Sequence, residues 1–210
     1  MNSMCNIIPT PIFYDKNVEI KDYSSFKKIT GDELFNYFNN RSFLNKLQKL
    51  IIIDVRYYYE FRGGRIIGAK NIQTKDELKR LYKKYKEQGK TIGIIFHCEY
   101  SQERSPKVMN IFRKYDRELN IYPNLSFPNL YLLEGGYKDF YKHHSELCCG
   151  GYTPMRDIKY INNGELKRCT SFFRTNMLQE IKCSKIEHTI PLLPDIIDLA
   201  FDDLNFDIGL

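Results

Sequence analysis

The sequence has no run of about 18 apolar residues, so no segment is long enough to cross a bilayer as a helix. Its start, Met1 to Pro11, has no basic patch leading into an apolar stretch, and no secretory signal is expected there. The six cysteines follow no paired spacing. That argues against a disulfide framework and for a reducing, intracellular setting, with nucleus and/or cytoplasm as the expected location. There is no internal repeat. There is no nucleic-acid-binding motif either, so the surplus of positive charge is not read as a nucleic-acid surface.

What is present suits one domain with terminal extensions: 210 residues, 42% of them hydrophobic. The net charge of +6 is unevenly spread. Ser184 to Leu210 holds six acids (Glu187, Asp195, Asp198, Asp202, Asp203, Asp207) against Lys185, so the tail carries −5 and the rest +11. A basic body suits a phosphorylated or acidic partner.

Pro9 and Pro11 make residues 1–23 irregular. Thr30 followed by Glu33 reads as a capping box opening a helix. The apolar runs Leu50–Val55 and Thr91–Phe96 predict buried strands, and Leu130–Leu133 a third. Gly63 and Gly64 predict a turn. Asp76–Gln88 predicts an amphipathic helix with Leu78, Leu81 and Tyr85 inward. Pro106 opens another, with Val108, Ile111, Phe112, Tyr115 and Leu119 facing the core. A further helix is expected over about 167–183. Strands alternating with helices imply an α/β fold with a parallel sheet covered on both faces.

The segment richest in chemistry is His97-Cys98-Glu99-Tyr100-Ser101-Gln102-Glu103-Arg104-Ser105-Pro106. It joins a buried strand to a helix start, the place where a doubly wound sheet presents its ligand. Successive loop N–H groups can converge on an anion, and the helix start adds partial positive charge. Arg104 can clamp two phosphate oxygens with its planar fork. Cys98 is the candidate nucleophile, since helix starts and cations favour the reactive thiolate. It would attack phosphorus in line and form a phosphocysteine for water to hydrolyse.

At these residues the sequence resembles the M-phase inducer phosphatases, dual-specificity phosphatases that activate cyclin-dependent kinases. The matching stretches are Ile52–Ile72, His97–Pro106, Arg113–Phe140 and Tyr152–Met155, in the expected order. The resemblance implies a rhodanese-like fold, a five-stranded parallel sheet flanked by helices on both faces. Residues 24–183 would form the catalytic domain, between the irregular start and an acidic tail over 184–210. It implies removal of phosphate from Thr and Tyr of a cyclin-dependent kinase–cyclin complex by a monomer without cofactor or metal. Cys98 matches the family nucleophile and Arg104 its phosphate-binding arginine. Glu99 and Glu103 match its two loop carboxylates. Of these, Glu103 is the expected general acid unless the substrate brings its own proton. The phosphate loop runs through Glu99, Tyr100, Ser101, Gln102, Glu103, Arg104 and Ser105. Arg113, Arg117 and Tyr122 match positions that dock the kinase complex. Spacing alone would make Arg113 and Arg117 an ordinary solvated face of one helix.

Three positions depart from the family. Val55 stands where the family has a second cysteine, which can trap an oxidised nucleophile as a disulfide. Arg65 replaces a histidine. Ser105 replaces a glycine, and its hydroxyl could bond a thiolate or cap the helix. Rival readings are a rhodanese-like arsenate reductase or sulfurtransferase, and a non-catalytic phosphoprotein-binding module. Sulfurtransferase loops are one residue shorter, leaving less room for a tetrahedral phosphate. A tyrosine phosphatase with a mobile, Trp-bearing Asp loop is disfavoured because the chain has no Trp. His143, His144, Cys148 and Cys149 could ligate zinc by type, but their spacing is not that of a standard finger. Lys79, Arg80, Lys83 and Lys84 read as a solvated helix face. Tyr57, Tyr58 and Tyr59 read as packing, and Asp54 with Arg56 as a structural ion pair.

Overall fold

The computed structural model describes residues 26–40, 47–88 and 91–179. The start expected to be irregular, the acidic tail and the last part of the helix expected over 167–183 lie outside the described residues. The chain opens with a short strand β1 (Lys27–Ile29) and helix α1 (Gly31–Asn40). Thr30 and Glu33 form the capping box: Glu33 N donates to Thr30 Oγ1 at 3.1 Å, and Thr30 N donates to Glu33 Oε2 at 2.8 Å. Strand β2 (Lys49–Asp54) leads into a short helix α2 (Tyr58–Gly63), strand β3 (Gly64–Ile66) and strand β4 (Lys70–Asn71). Then come α3 (Lys75–Lys86), β5 (Ile92–His97), α4 (Arg104–Glu118), β6 (Asn129–Leu133) and α5 (Gly136–His143). A last short strand β7 (Cys148–Gly150) precedes helices α6 (Ile158–Asn162) and α7 (Glu165–Phe173).

The main sheet has five parallel strands in the order β1-β6-β5-β2-β4. All six residues of β5 are buried, as expected for the middle strand of a sheet covered on both sides. Alternation along the strands divides the core. Ile51, Ile53, Ile94 and Phe96 pack with Leu78, Leu81 and Tyr82 of α3 and with Val108, Met109 and Phe112 of α4. Ile52, Ile95 and Leu133 pack with Leu34 of α1 and with Tyr137 and Phe140 of α5. Each such side chain contributes roughly 1.5–3 kcal/mol on burial. No helix among the described residues is long and apolar enough to cross a membrane.

Several expectations are corrected by packing. Gly63 and Gly64 are not a free turn: they end α2 and begin β3, which pairs antiparallel with β7. A Cβ on Gly64 would lie 1.7 Å from the Gly151 carbonyl oxygen, so this backbone approach requires glycine. Tyr57 and Tyr59 are buried, but Tyr58 is 54% exposed. Leu119 lies at the C-terminal cap of α4 and is 46% exposed. Met109 and Asp116 instead complete the buried face of that helix. The helix expected from 167 begins at Glu165, after the separate α6, and winds into a π-helical turn over Arg174–Leu178. Its α-helical part therefore ends at Phe173, earlier than expected.

Candidate active site

The strand-to-helix loop sits at the C-terminal end of the central strand, between β5 and α4. The start of α5 holds it from below. Tyr137 N donates to the Cys98 carbonyl at 2.9 Å, and Lys138 N donates to the Glu99 carbonyl at 3.0 Å. Gly136 makes this possible: its φ is +64°, and a Cβ there would lie 2.6 Å from the Glu99 oxygen and 2.7 Å from that of Cys98. The first loop carbonyls are thus committed to α5. The backbone N–H groups of Glu99, Tyr100, Ser101, Gln102 and Glu103 have no acceptor among the described residues. Ser101 turns through the left-handed region at φ 56°, a conformation that helps successive N–H groups share one concavity. Its hydroxyl is buried with no partner among the described residues.

Cys98 is 4% exposed, and the Ser105 hydroxyl lies 3.4 Å from its sulfur. Arg104 is fixed by a carboxylate that the sequence reading left without a role. Glu60 of α2 is fully buried and takes both ends of the guanidinium, Nη1 to Oε2 at 2.5 Å and Nη2 to Oε1 at 3.0 Å. The guanidinium also stands 4.7 Å from the centre of the Tyr57 ring. Burial works against the charge of Arg104, but the Glu60 carboxylate outweighs it and raises the pKa. With Glu60 occupying the end of the fork, Nε–H and the outward Nη hydrogens remain for an oxyanion.

The two loop carboxylates differ sharply. Glu99 is buried, accepts from the Tyr152 hydroxyl at 2.5 Å and the Met155 N–H at 3.3 Å, and lies 3.9 Å from Arg104. It ties the loop to the segment after β7. Glu103 is the N-terminal cap residue of α4, its side chain 82% exposed and 3.7 Å from Lys107. Tyr100 and Gln102 are exposed at the rim, with Lys138 stacked 5.1 Å from the Tyr100 ring centre.

A buried charged cluster lies beneath the loop. Arg56 grips Asp54 through Nε and Nη2, the latter at 2.7 Å, and covers the Tyr137 ring at 3.8 Å. His97 lies 3.7 Å from Asp54 through Nε2, and its Nδ1 lies 3.3 Å from the Cys98 carbonyl. Burial depresses the His97 pKa from the ordinary 6.5, against the pull of Asp54. The sign for stability follows. The unfolded chain takes a proton near pH 6.5 and the folded chain only at lower pH, so stability falls as pH drops through that window. We expect the urea midpoint to hold steady above about pH 7 and to decline below about pH 6.5, with a slope of at most ~1.4 kcal/mol per pH unit from this residue. His97→Asn should flatten that decline. Asp54 has a lowered pKa: burial opposes its charge, but His97 and Arg56 outweigh it. Its own contribution is lost only below about pH 4.

The expected docking residues lie away from the loop, on α4 and the connection after it. Tyr122 is 90% exposed beside Ile121 at 86%. Arg117 is exposed. Arg113 differs: its side chain is 16% exposed and its Nη1 donates to the fully buried Asp116 at 2.9 Å. Asp116 also accepts from Tyr82, Asn120 and the N–H groups of Ser126 and Phe127, so it anchors the whole connection. Asp116 and Glu60 carried no local signal of their roles, because the partners that define those roles come from other parts of the chain: Tyr82, Ser126 and Phe127 for Asp116, and Arg104 for Glu60. His144 stacks on Phe35 and packs against Phe140, and Cys148 Sγ donates to the His144 carbonyl. Among the described residues, no three His, Cys, Asp or Glu side chains group to hold a metal ion.

Residues 39–143 match the family model described as rhodanese-like domain. M-phase inducer phosphatase 3 of Bos taurus is 42% identical over 132 residues, 60% of this chain and 27% of that protein. The M-phase inducer phosphatase of Schizosaccharomyces pombe is 36% identical over 159 residues, 72% of this chain and 26% of that protein. Among solved structures, the As-Sb reductase from Leishmania major is similar at 24% identity and a TM-score of 0.48, covering 67% of this chain and 98% of that one. The chain spans about a quarter of the length of the curated relatives it matches. The chain belongs to the rhodanese-like domain family, and its likeness within that family is to the M-phase inducer phosphatases.

Proposed function

We propose that the chain is a cysteine-dependent dual-specificity protein phosphatase that removes phosphate from Thr and Tyr of a cyclin-dependent kinase and so activates it for cell-cycle progression. The observation that carries this reading is the juxtaposition of Cys98 with a run of unaccepted loop N–H groups and an arginine held in place by Glu60. In this reading Cys98 Sγ bonds to phosphorus as the bond to the substrate oxygen breaks, and that oxygen takes up a proton. The loop N–H groups and Arg104 hold the equatorial oxygens, where charge builds in the transition state. Glu103 is the proposed proton donor. Glu99 already accepts two hydrogen bonds, whereas the Glu103 side chain is exposed at the mouth of the loop. Water then releases phosphate from the cysteine. No cofactor is needed, and the working unit is a monomer acting in the nucleus or cytoplasm.

The test is phosphate release from a doubly phosphorylated kinase–cyclin complex, run beside arsenate reduction on the same preparation. Release without reduction supports the proposal, and reduction without release would replace it with the reductase reading.

Arg113, Arg117 and Tyr122 are the proposed docking residues for the kinase complex. Arg117→Glu is the informative variant, because Arg113→Glu would set a second carboxylate against buried Asp116. We expect Arg117→Glu to lower kcat/KM on the kinase complex about tenfold and to leave hydrolysis of a small aryl phosphate unchanged. Added salt should weaken the wild type selectively on the protein substrate. Equal losses on both substrates would remove Arg117 from the docking surface.

A further inference from the structure

Ser105 occupies the second position of α4 and is fully buried. Its hydroxyl does not cap the helix: the cap residue is Glu103, and no side chain makes a capping bond at this start. A serine inside a helix can also return its hydroxyl to a carbonyl in the preceding turn. Here it turns to the Cys98 sulfur, 3.4 Å away. The cation nearest in sequence, Arg104, has the end of its fork committed to Glu60. With sulfur and hydroxyl both buried, bulk water is poorly placed to replace this donor.

We propose that Ser105 is a catalytic residue whose hydroxyl donates to the Cys98 sulfur and stabilises the thiolate as it leaves phosphorus, a role that rests on the phosphatase reading. In that second step the water oxygen bonds to phosphorus and the S–P bond breaks. Its electron pair goes to Sγ, and the water protons remain on the released phosphate. The Ser105 proton stays on its oxygen throughout. In the phosphocysteine the sulfur carries little charge and the hydrogen bond is weak. As the thiolate emerges the bond becomes charge-assisted and stronger. The hydroxyl therefore acts more on the transition state of hydrolysis than on the intermediate before it.

Two measurements on Ser105→Ala, with Ser105→Thr as the hydroxyl-retaining control, test this. The first needs no phosphatase activity: the pH profile of iodoacetamide alkylation at Cys98, read by peptide mass spectrometry. The profile of the alanine variant should move upward by about one pH unit, the size expected for losing a hydrogen bond to a charged group, with the threonine variant near wild type. The second is rapid-quench turnover of an aryl phosphate. The alanine variant should show a burst, accumulate phosphoenzyme and turn over about tenfold more slowly in the steady state. An unmoved alkylation profile would overturn the sulfur contact. A moved profile with wild-type phosphoenzyme levels would overturn its role in the hydrolysis step. A moved profile with no phosphate release even from the wild type would sink the phosphatase reading, and the assigned step with it, and leave the contact standing. Circular dichroism melting of each variant identifies any that has lost its fold. If threonine is too large for the buried position, Ser105→Gly replaces it as a second hydroxyl-free variant and should repeat the alanine result in both assays.

Discussion

Cys98→Ser should reduce turnover by roughly 10⁴-fold or more, the range seen when a nucleophile that works as part of a unit is removed. Serine has nearly the same shape, so the change isolates chemistry from packing. Its hydroxyl titrates far above neutrality and needs an adjacent base to become a nucleophile. The surroundings supply none. His97 is buried under the loop between Asp54 and the Cys98 carbonyl. Glu99 is bound to Tyr152 and Met155, and Ser105 is a donor. Loop geometry rests on backbone bonds from α5, so the variant should still bind tungstate, a phosphate-shaped oxyanion, with near wild-type affinity. Residual activity above a few per cent in the purified variant would rule out Cys98 as the nucleophile.

Arg104→Lys should lower turnover about 10²- to 10³-fold, although the charge is kept. A lysine is a point charge on a flexible stem and cannot satisfy both oxygens of Glu60 while presenting planar donors to phosphate. The loss should also reach stability. Glu60 is fully buried, and burial already pushes its carboxyl above the ordinary carboxylate value against the pull of Arg104. Leaving one of its oxygens without a partner should cost about 1–3 kcal/mol, visible as a lower urea midpoint. Glu60→Gln separates the two effects, because it loosens Arg104 without removing the guanidinium. Its turnover should fall less than that of Arg104→Lys. Wild-type activity in Arg104→Lys would remove the phosphate-clamp role.

The sequence alone determined the middle of the fold and the location of the loop. The strands around Ile51–Ile53, Ile94–Phe96 and Leu130–Leu133 are legible because a central parallel strand is buried on both faces and must be apolar throughout. The Thr30 and Glu33 cap and the inward face of α3 are legible because their rules span three or four residues. Cys98, Arg104 and Ser105 are legible as a group because one strand–loop–helix unit carries them all. Tertiary structure decided what those residues meet. The Glu60–Arg104 pair joins α2 to α4, Glu99 reaches Tyr152 beyond β7, and Asp116 gathers donors from α3 and from the connection before β6. It separated a braced Arg113 from an exposed Arg117 that share one spacing rule, and chose between the two readings of Ser105, placing its hydroxyl on the Cys98 sulfur rather than at the helix cap. Polar side chains announce no partner locally, because burial without a partner is what costs energy, and which partner meets that need is known only once distant elements have packed.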